Sequence, residues 1–403
     1  MARKTASKSA PKNPRAGGGT ADRAGSPPTA TPAGLHRPGT DPARQIPRLG
    51  DVLGQSAALA ALGGALASGR VHHCWIFSGP AGVGKFTAAL AFAAVLLDPT
   101  SRPADDGLWS PEPQSPTQRL LLAGTHPDLH IITKELAAIS RDDRTRQSKQ
   151  RTIPLDVLRE FLIEPSGRTR GASTGDGALA QKVFIVDEAE LLRDGQNTLL
   201  KTLEEPPVGT VLILVTASEE ALLPTVRSRA RRVGFTALDE PALRAWYERA
   251  GMPRDEVQRE WLMRFGCGSP GWIASAVASN LYGWEGVLGP GLRELAAGRF
   301  PLGLGSELAK LVEERAAESV RASPDSSKEA ATAAWAGRLL GLVAEHLRLM
   351  LRQAAGKGAE VAWHLAGIDL VTAAAGQVGA NVSLPLVTES LVAQLAAAPR
   401  QRT

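Results

Sequence analysis

A short glycine-rich stretch carries the clearest chemical signal in the 403 residues of this sequence. Gly79-Pro80-Ala81-Gly82-Val83-Gly84-Lys85 follows a short apolar run and opens a long helical stretch. Glycines let successive backbone N–H groups turn toward an anion, the helix N-terminus adds its positive dipole, and a lysine reaches terminal phosphates. The stretch therefore predicts a phosphate-binding loop. We expect the nucleotide-binding residues to be Gly79, Gly82, Val83, Gly84, Lys85, Phe86 and Thr87.

The residue after this lysine departs from the usual pattern. A phosphate-binding loop ordinarily continues with a Ser or Thr whose hydroxyl holds Mg²⁺, and this sequence has Phe86 there. Thr87 lies one residue further on, about 100° away around the helix, so it does not take over that role. The residues leave open whether the loop holds ATP, ADP or nothing, and they argue against metal-assisted hydrolysis.

Two adjacent carboxylates form a second candidate site. Asp187 and Glu188 end the apolar run from Val183 to Val186, which is typical of a buried strand. In a P-loop enzyme, the first such carboxylate orients the Mg²⁺ shell and the second polarises the attacking water. An isolated Asp-Glu pair is more often an ordinary strand-to-helix turn, but a phosphate-binding loop upstream favours the catalytic interpretation.

Three further motifs carry a family resemblance: Gly124-Thr125-His126-Pro127-Asp128, the stretch from Gln196 to Pro207, and Ser228-Arg229. With them the sequence resembles the clamp-loader branch of the AAA+ ATPases, most closely its delta prime type of subunit from bacterial DNA polymerase III. The resemblance is strong from about residue 49 to 235 and weak onward to about 396. It implies a subunit of a five-membered ring that loads a sliding clamp onto primed DNA during replication. It also implies membership of the DNA-directed DNA polymerase holoenzyme, a nucleotidyltransferase.

The resemblance assigns roles residue by residue. Lys85 matches the phosphate-binding lysine, Asp187 and Glu188 match the acidic pair, and Thr216 matches the polar residue that senses the γ-phosphate. Arg229 matches an arginine that reaches into the ATP site of a neighbouring subunit. A guanidinium supplied in trans neutralises developing phosphoryl charge, so this role is physically sound. The alternative is a surface arginine within the basic group that also contains Arg227, Arg231 and Arg232.

Departures from the family pattern favour a subunit that does not hydrolyse ATP. Gly271 stands where an ATP-hydrolysing relative would carry an arginine, as it does in delta prime subunits. Residues 98–122 contain no Cys, so the zinc module common before the Thr-His-Pro-Asp motif is missing. We also expect the chain to lack the long C-terminal extension of the tau form. We expect no metal or zinc site, and ATPase activity of its own that is absent or weak. The alternative is a catalytically active gamma/tau-like ATPase.

The implied partners are the gamma/tau-like ATPase subunits and the delta subunit. The sliding clamp would be contacted indirectly and primed DNA through the complex. The fold expected is an α/β P-loop (AAA+) domain with a parallel sheet, followed by two helical parts, because strands alternate with helices only before Phe235. The expected domains are a disordered basic tail at 1–46, the AAA+ domain at 47–235, a helical lid at 236–288 and a helical collar for oligomerisation at 289–400.

Composition excludes several other classes of protein. The formal net charge is +5, but residues 1–45 hold eight basic and two acidic residues, so the remaining 358 carry −1. Direct DNA binding would therefore rest on the tail alone, which leaves a minor alternative function. The two cysteines, Cys74 and Cys267, predict a reducing, cytoplasmic location without disulfides. We expect no membrane span and no secretion signal, and we read His72-His73 as a pair that binds no metal.

Overall fold

The computed structural model describes residues 46–104, 107–146, 152–167, 177–193, 195–322, 328–380 and 382–400. The basic tail predicted at 1–46 lies outside the described residues except for Ile46.

Seven strands form two sheets. The strands are β1 (Cys74–Ser78), β2 (Arg102–Pro103), β3 (Trp109–Ser110), β4 (Leu129–Ile132), β5 (Lys182–Val186), β6 (Thr210–Thr216) and β7 (Arg231–Gly234) in the described residues. Five of them form the parallel central sheet in the order β4-β5-β6-β1-β7, and β2 pairs with β3 in a separate antiparallel sheet. This parallel sheet confirms the predicted α/β core.

Continuous apolar strands form because both faces of the sheet are covered. Side chains alternate between the faces, so Trp75 and Phe77 pack in one buried cluster while Ile76 packs in the other. The first cluster continues from the sheet into the helices beyond residue 240. The helices around the sheet are α1 (Ser56–Ala67), α2 (Lys85–Leu97), α3 (Pro116–Leu122), α4 (Asp143–Arg146), α5 (Leu155–Leu158), α6 (Glu164–Ser166), α7 (Gly195–Glu204) and α8 (Pro224–Arg227).

Some connecting segments contain short elements of their own. The stretch 98–119 contains the β2–β3 pair and the start of α3. A 3-10 turn at Ala189–Leu192 precedes α7, and a π-helical turn at Arg159–Ile163 lies between α5 and α6.

After β7, the described residues form helices and the loops between them, and no further strand. They are α9 (Glu240–Arg249), α10 (Glu256–Gly266), α11 (Pro270–Ala278), α12 (Glu285–Ala296), α13 (Leu304–Ala322), α14 (Lys328–Gly356), α15 (Ala362–Gly379) and α16 (Leu384–Ala397). Leu339, Val343 and Leu347 recur at helical spacing, and all three are buried in α14. Among the described residues, no helix combines the length and the apolar character that crossing a bilayer requires.

A polar joint connects α10, α12 and α14. Glu285 Oε2 accepts a hydrogen bond from Trp261 Nε1 at 2.7 Å and lies 2.9 Å from His346 Nε2. Burial opposes ionisation of Glu285, but the hydrogen bonds from His346 and Trp261 and the nearby Arg293 outweigh it and hold the carboxyl pKa below its ordinary value. The ionised Glu285 therefore links helices on both sides of the predicted boundary between lid and collar.

The depressed pKa of Glu285 predicts a pH dependence of stability. A carboxyl whose pKa is lower in the folded state stabilises the fold above its unfolded pKa, about 4.3, and loses that contribution as pH falls through the folded pKa. We expect Glu285→Gln to lower the free energy of unfolding by about 1–2 kcal/mol at pH 7, and the difference to shrink in acid. Urea unfolding at pH 7 and across the acid range would measure it. Glu313→Gln, on the exposed face of α13, is the control and should change neither value.

Candidate functional site

Three glycines shape the loop between β1 and α2. Gly79, Gly82 and Gly84 have φ angles of 142°, 76° and 99°, a region that side-chain-bearing residues avoid. A Cβ at Gly79 would lie 2.1 Å from the carbonyl oxygen of Phe235, so that position also lacks space. The loop thus has a backbone that glycine adopts readily and that residues with side chains avoid.

Lys85 is buried at the first position of α2. Its Nζ donates to the carbonyl oxygens of Gly79 at 2.6 Å and Pro80 at 2.5 Å. The next two residues do not resemble a metal-binding pair, because Phe86 packs against the apolar core and Thr87 is exposed. Phe86 therefore offers no oxygen to Mg²⁺, and Lys85 bonds to the backbone of its own loop.

The segment that opens α11 lies directly on this loop. Ser269 Oγ donates to the Ala81 carbonyl at 2.9 Å, and the Gly271 N–H donates to the Gly82 carbonyl at 2.8 Å. A Cβ at Gly271 would lie 2.7 Å from Gly82 Cα, and a Cβ at Gly82 would lie 2.4 Å from Ser269 Oγ. Two glycines therefore allow backbone-to-backbone contact between the loop and α11, and any side chain at 271 would separate them.

The acidic pair follows β5 at the same edge of the sheet. Asp187 is buried and accepts a hydrogen bond from the Glu188 N–H at 3.0 Å. Glu188 has a φ of 51°, and its carboxylate lies 2.8 Å from Lys134 Nζ. The carboxylate expected to polarise water is thus engaged with a cation of its own chain.

Thr216 ends β6 next to the phosphate-binding loop. It pairs in register with Ser78, the last residue before that loop, and its side chain is buried. Its Oγ1 donates to the Ser218 carbonyl at 2.8 Å. The structure therefore brings together the glycine loop, the acidic pair and Thr216 at the carboxyl ends of three adjacent strands.

Arg229 lies at the opposite end of the sheet. In the β1–β7 register Trp75 pairs with Arg231 and Ser78 pairs with Gly234. Arg229 precedes β7, whereas the loop follows β1, so at least four residue steps, or about 13 Å, separate them along the strands. Arg229 is not part of the site formed by its own loop.

Two buried glutamines, Gln55 and Gln196, bond to the backbone of segments around the site. The sequence did not predict these contacts. Gln55 Nε2 donates to the carbonyls of Val83 and Thr236, and its Oε1 accepts from the Thr236 N–H at 3.1 Å. Gln196 Nε2 donates to the Ala221 carbonyl at 3.1 Å. Each side chain bonds backbone far away in the chain, so no local spacing signals the contact.

Histidines contribute no metal site in the described residues, which contain no cluster of three or more His, Cys, Asp and Glu able to hold an ion. The His72 and His73 rings stack at 4.4 Å, and His72 Nδ1 lies 2.8 Å from the Cys74 carbonyl oxygen. Burial raises the pKa of the Cys74 thiol to about 12, so that sulfur stays protonated at neutral pH.

Part of this chain is similar to subunits of DNA polymerase III. The family model described as DNA polymerase III, delta subunit, matches residues 54–239. The gamma/tau subunit of DNA polymerase III from Mycobacterium tuberculosis is 30% identical over 230 residues, which cover 55% of this chain and 35% of that protein. The delta' subunit from Pseudomonas aeruginosa is 31% identical over 202 residues, covering 49% of this chain and 53% of that protein. The chain thus matches about a third to a half of the length of these relatives.

Among solved structures, a gamma subunit-related protein of DNA polymerase III from Thermotoga maritima aligns with a TM-score of 0.43 at 16% identity. The alignment covers 85% of this chain and 100% of that one. The RuvB Holliday junction branch migration motor of the same organism aligns with a TM-score of 0.36 at 15% identity, over 78% of this chain and 85% of that one.

The contact between Gly82 and Gly271 predicts a selective effect of an added methyl group. We expect Gly271→Ala to lower the free energy of unfolding by about 1–3 kcal/mol, because the new Cβ overlaps the Gly82 backbone. Hydrogen exchange should show faster exchange of the Gly271 N–H. Gly341→Ala, in α14 with open space around its Cβ, is the matched control and should be neutral or stabilising. Equal effects of both substitutions would contradict the close contact.

Proposed function

We propose that the chain is a delta prime-like subunit of a clamp-loader complex, because residues 54–239 match the family model described as DNA polymerase III, delta subunit, and the similar proteins include delta' and gamma/tau subunits. In this role it helps to load a sliding clamp onto primed DNA during replication. It hydrolyses little or no ATP itself and supplies Arg229 to the ATP site of a neighbouring gamma/tau-like subunit.

The contact of Gly271 with Gly82 is the observation that carries the proposal. A lid arginine that reaches the γ-phosphate cannot exist at a position where even a Cβ would lie 2.7 Å from the loop backbone. Phe86 beside Lys85 points the same way, since it provides no Mg²⁺ ligand. A loop that lacks both groups can retain a nucleotide through its backbone and Lys85 but is poorly equipped for hydrolysis.

The position of Arg229 supports its proposed action on another chain. It stands about 13 Å or more along the sheet from its own phosphate-binding loop, so its guanidinium cannot serve that loop. Its side chain is partly exposed, which leaves it accessible to a neighbour. An arginine of this kind couples hydrolysis to assembly, because the partner's site is incomplete without it.

The remaining parts of the proposal follow the family. Residues 47–235 act as the AAA+ domain, residues 236–288 as the lid, and residues 289–400 as the collar through which the subunits assemble. The delta subunit is a second partner, and the sliding clamp and DNA are reached through the complex. ATP or ADP is the nucleotide class that the loop would hold, without zinc, and the cytoplasm is the proposed location.

Replacing Arg229 with Ala tests the proposal. In a complex reconstituted from this chain, the delta subunit and gamma/tau-like ATPase subunits, we expect assembly by gel filtration to be unchanged. Turnover at the site that Arg229 completes should fall by about tenfold or more, because an arginine supplied in trans stabilises the charge of the transition state. Steady-state phosphate release by the complex is the measurement.

Arg232→Ala is the matched control for this substitution. It removes one positive charge three residues away, from an exposed arginine that pairs with Glu219. We expect turnover close to that of the unmodified complex. If Arg229→Ala leaves turnover unchanged, the proposed role of this chain is wrong.

The rival function is a gamma/tau-like ATPase that hydrolyses its own nucleotide. The convergence of Lys85, Asp187 and Thr216 at one sheet edge favours it. It requires ATP turnover by the isolated chain that disappears with Lys85→Ala. We expect the isolated chain to show no such turnover, because Glu188 is paired with Lys134 and Phe86 holds no metal.

A further inference from the structure

Two groups of the chain hold the guanidinium of Arg229. Its Nη2 donates to Glu204 Oε1 at 2.8 Å, and its Nη1 donates to the Thr225 carbonyl oxygen at 3.0 Å. A guanidinium has five N–H donors in one plane, so two such bonds fix the orientation of that plane and engage only two donors.

Both anchors belong to elements that are tied to each other. Glu204 is the last residue of α7, and Thr225 lies in α8. The buried Gln196, near the start of α7, accepts a hydrogen bond from the Leu223 N–H at 2.7 Å, directly before α8. A buried hydrogen bond therefore connects α7 to the start of α8, the two elements that hold Arg229.

The place of Glu204 in its helix argues against a merely local role. A carboxylate at a helix C-terminus faces the negative end of the helix dipole, which disfavours it. The preceding residue, Leu203, is buried, whereas Glu204 itself lies at the surface. The ion pair with Arg229 is what offsets the unfavourable position of the Glu204 charge.

We propose that Glu204 is a positioning residue that preorganises Arg229 for the phosphate of a neighbouring subunit. This inference rests on the proposed function, since it gives Arg229 a target in trans. Glu204 and Thr225 hold one part of the guanidinium, so the partner's phosphate meets a side chain whose rotamer is already fixed. The pair is partly exposed and weak, and it does not prevent the other N–H groups from binding an anion.

The test compares Glu204→Ala and Glu204→Gln in the reconstituted complex, with Glu205→Ala as the matched control. Glu205 is the adjacent exposed carboxylate. We expect Glu204→Ala to lower kcat for ATP about three- to fivefold with KM unchanged, because Arg229 acts on the transition state. Glu204→Gln should recover part of the loss, since its amide oxygen still accepts from Arg229. Glu205→Ala should match the unmodified complex.

A double substitution separates positioning from general stability. In the Arg229→Ala background, Glu204→Ala should cause no further decrease in kcat. An equal decrease in both backgrounds, a loss matched by Glu205→Ala, or an increase in kcat would overturn the positioning role. A normal kcat for Glu204→Ala beside an impaired Arg229→Ala would overturn this inference and leave the proposed function standing. A normal kcat for Arg229→Ala would remove both.

Discussion

The parallel register of the central sheet is the constraint on which the rest of the structure depends. All five strands run in one direction, so every segment that follows a strand lies at the same end of the sheet, where the carboxyl ends of the strands meet. The phosphate-binding loop, Asp187 and Thr216 are neighbours for that reason, although more than a hundred residues separate the loop from Asp187. Arg229 precedes β7 and therefore lies at the opposite end of the sheet. One sheet thereby presents the glycine loop at one end and the partly exposed Arg229 at the other.

The loop between β1 and α2 packs closely against the start of α11 because the residues that meet there are glycines. Gly82 and Gly271 meet backbone to backbone, and Gln55 ties the loop to Thr236 at the start of the helical region. The loop, the sheet and α11 are therefore in direct contact. The Glu285 joint connects α10, α12 and α14. These contacts give the helical region a defined position relative to the loop.

The sequence predicts those parts of the fold that local patterns encode. Continuous apolar runs predict β1, β5 and β6, because a strand that is buried on both faces does not alternate between apolar and polar residues. The edge strands β4 and β7 are short, and β7 opens with two exposed arginines, so neither produces such a run. The glycine loop was found by its spacing and its context. The Lys134–Glu188 pair and the contacts of Gln55, which reach 28 and 181 residues along the chain, depend on tertiary folding and leave no trace in local sequence.

In the proposed complex Arg229 contacts the nucleotide of another subunit. An ATP analogue with a photoreactive group on its γ-phosphate would test this contact directly in the reconstituted complex, with labelled peptides identified by mass spectrometry. We expect label on this chain at the segment from Ser228 to Ala230, present in the complex and absent from the isolated chain. Label confined to the chain's own loop around Lys85, in the complex and in isolation alike, would contradict it.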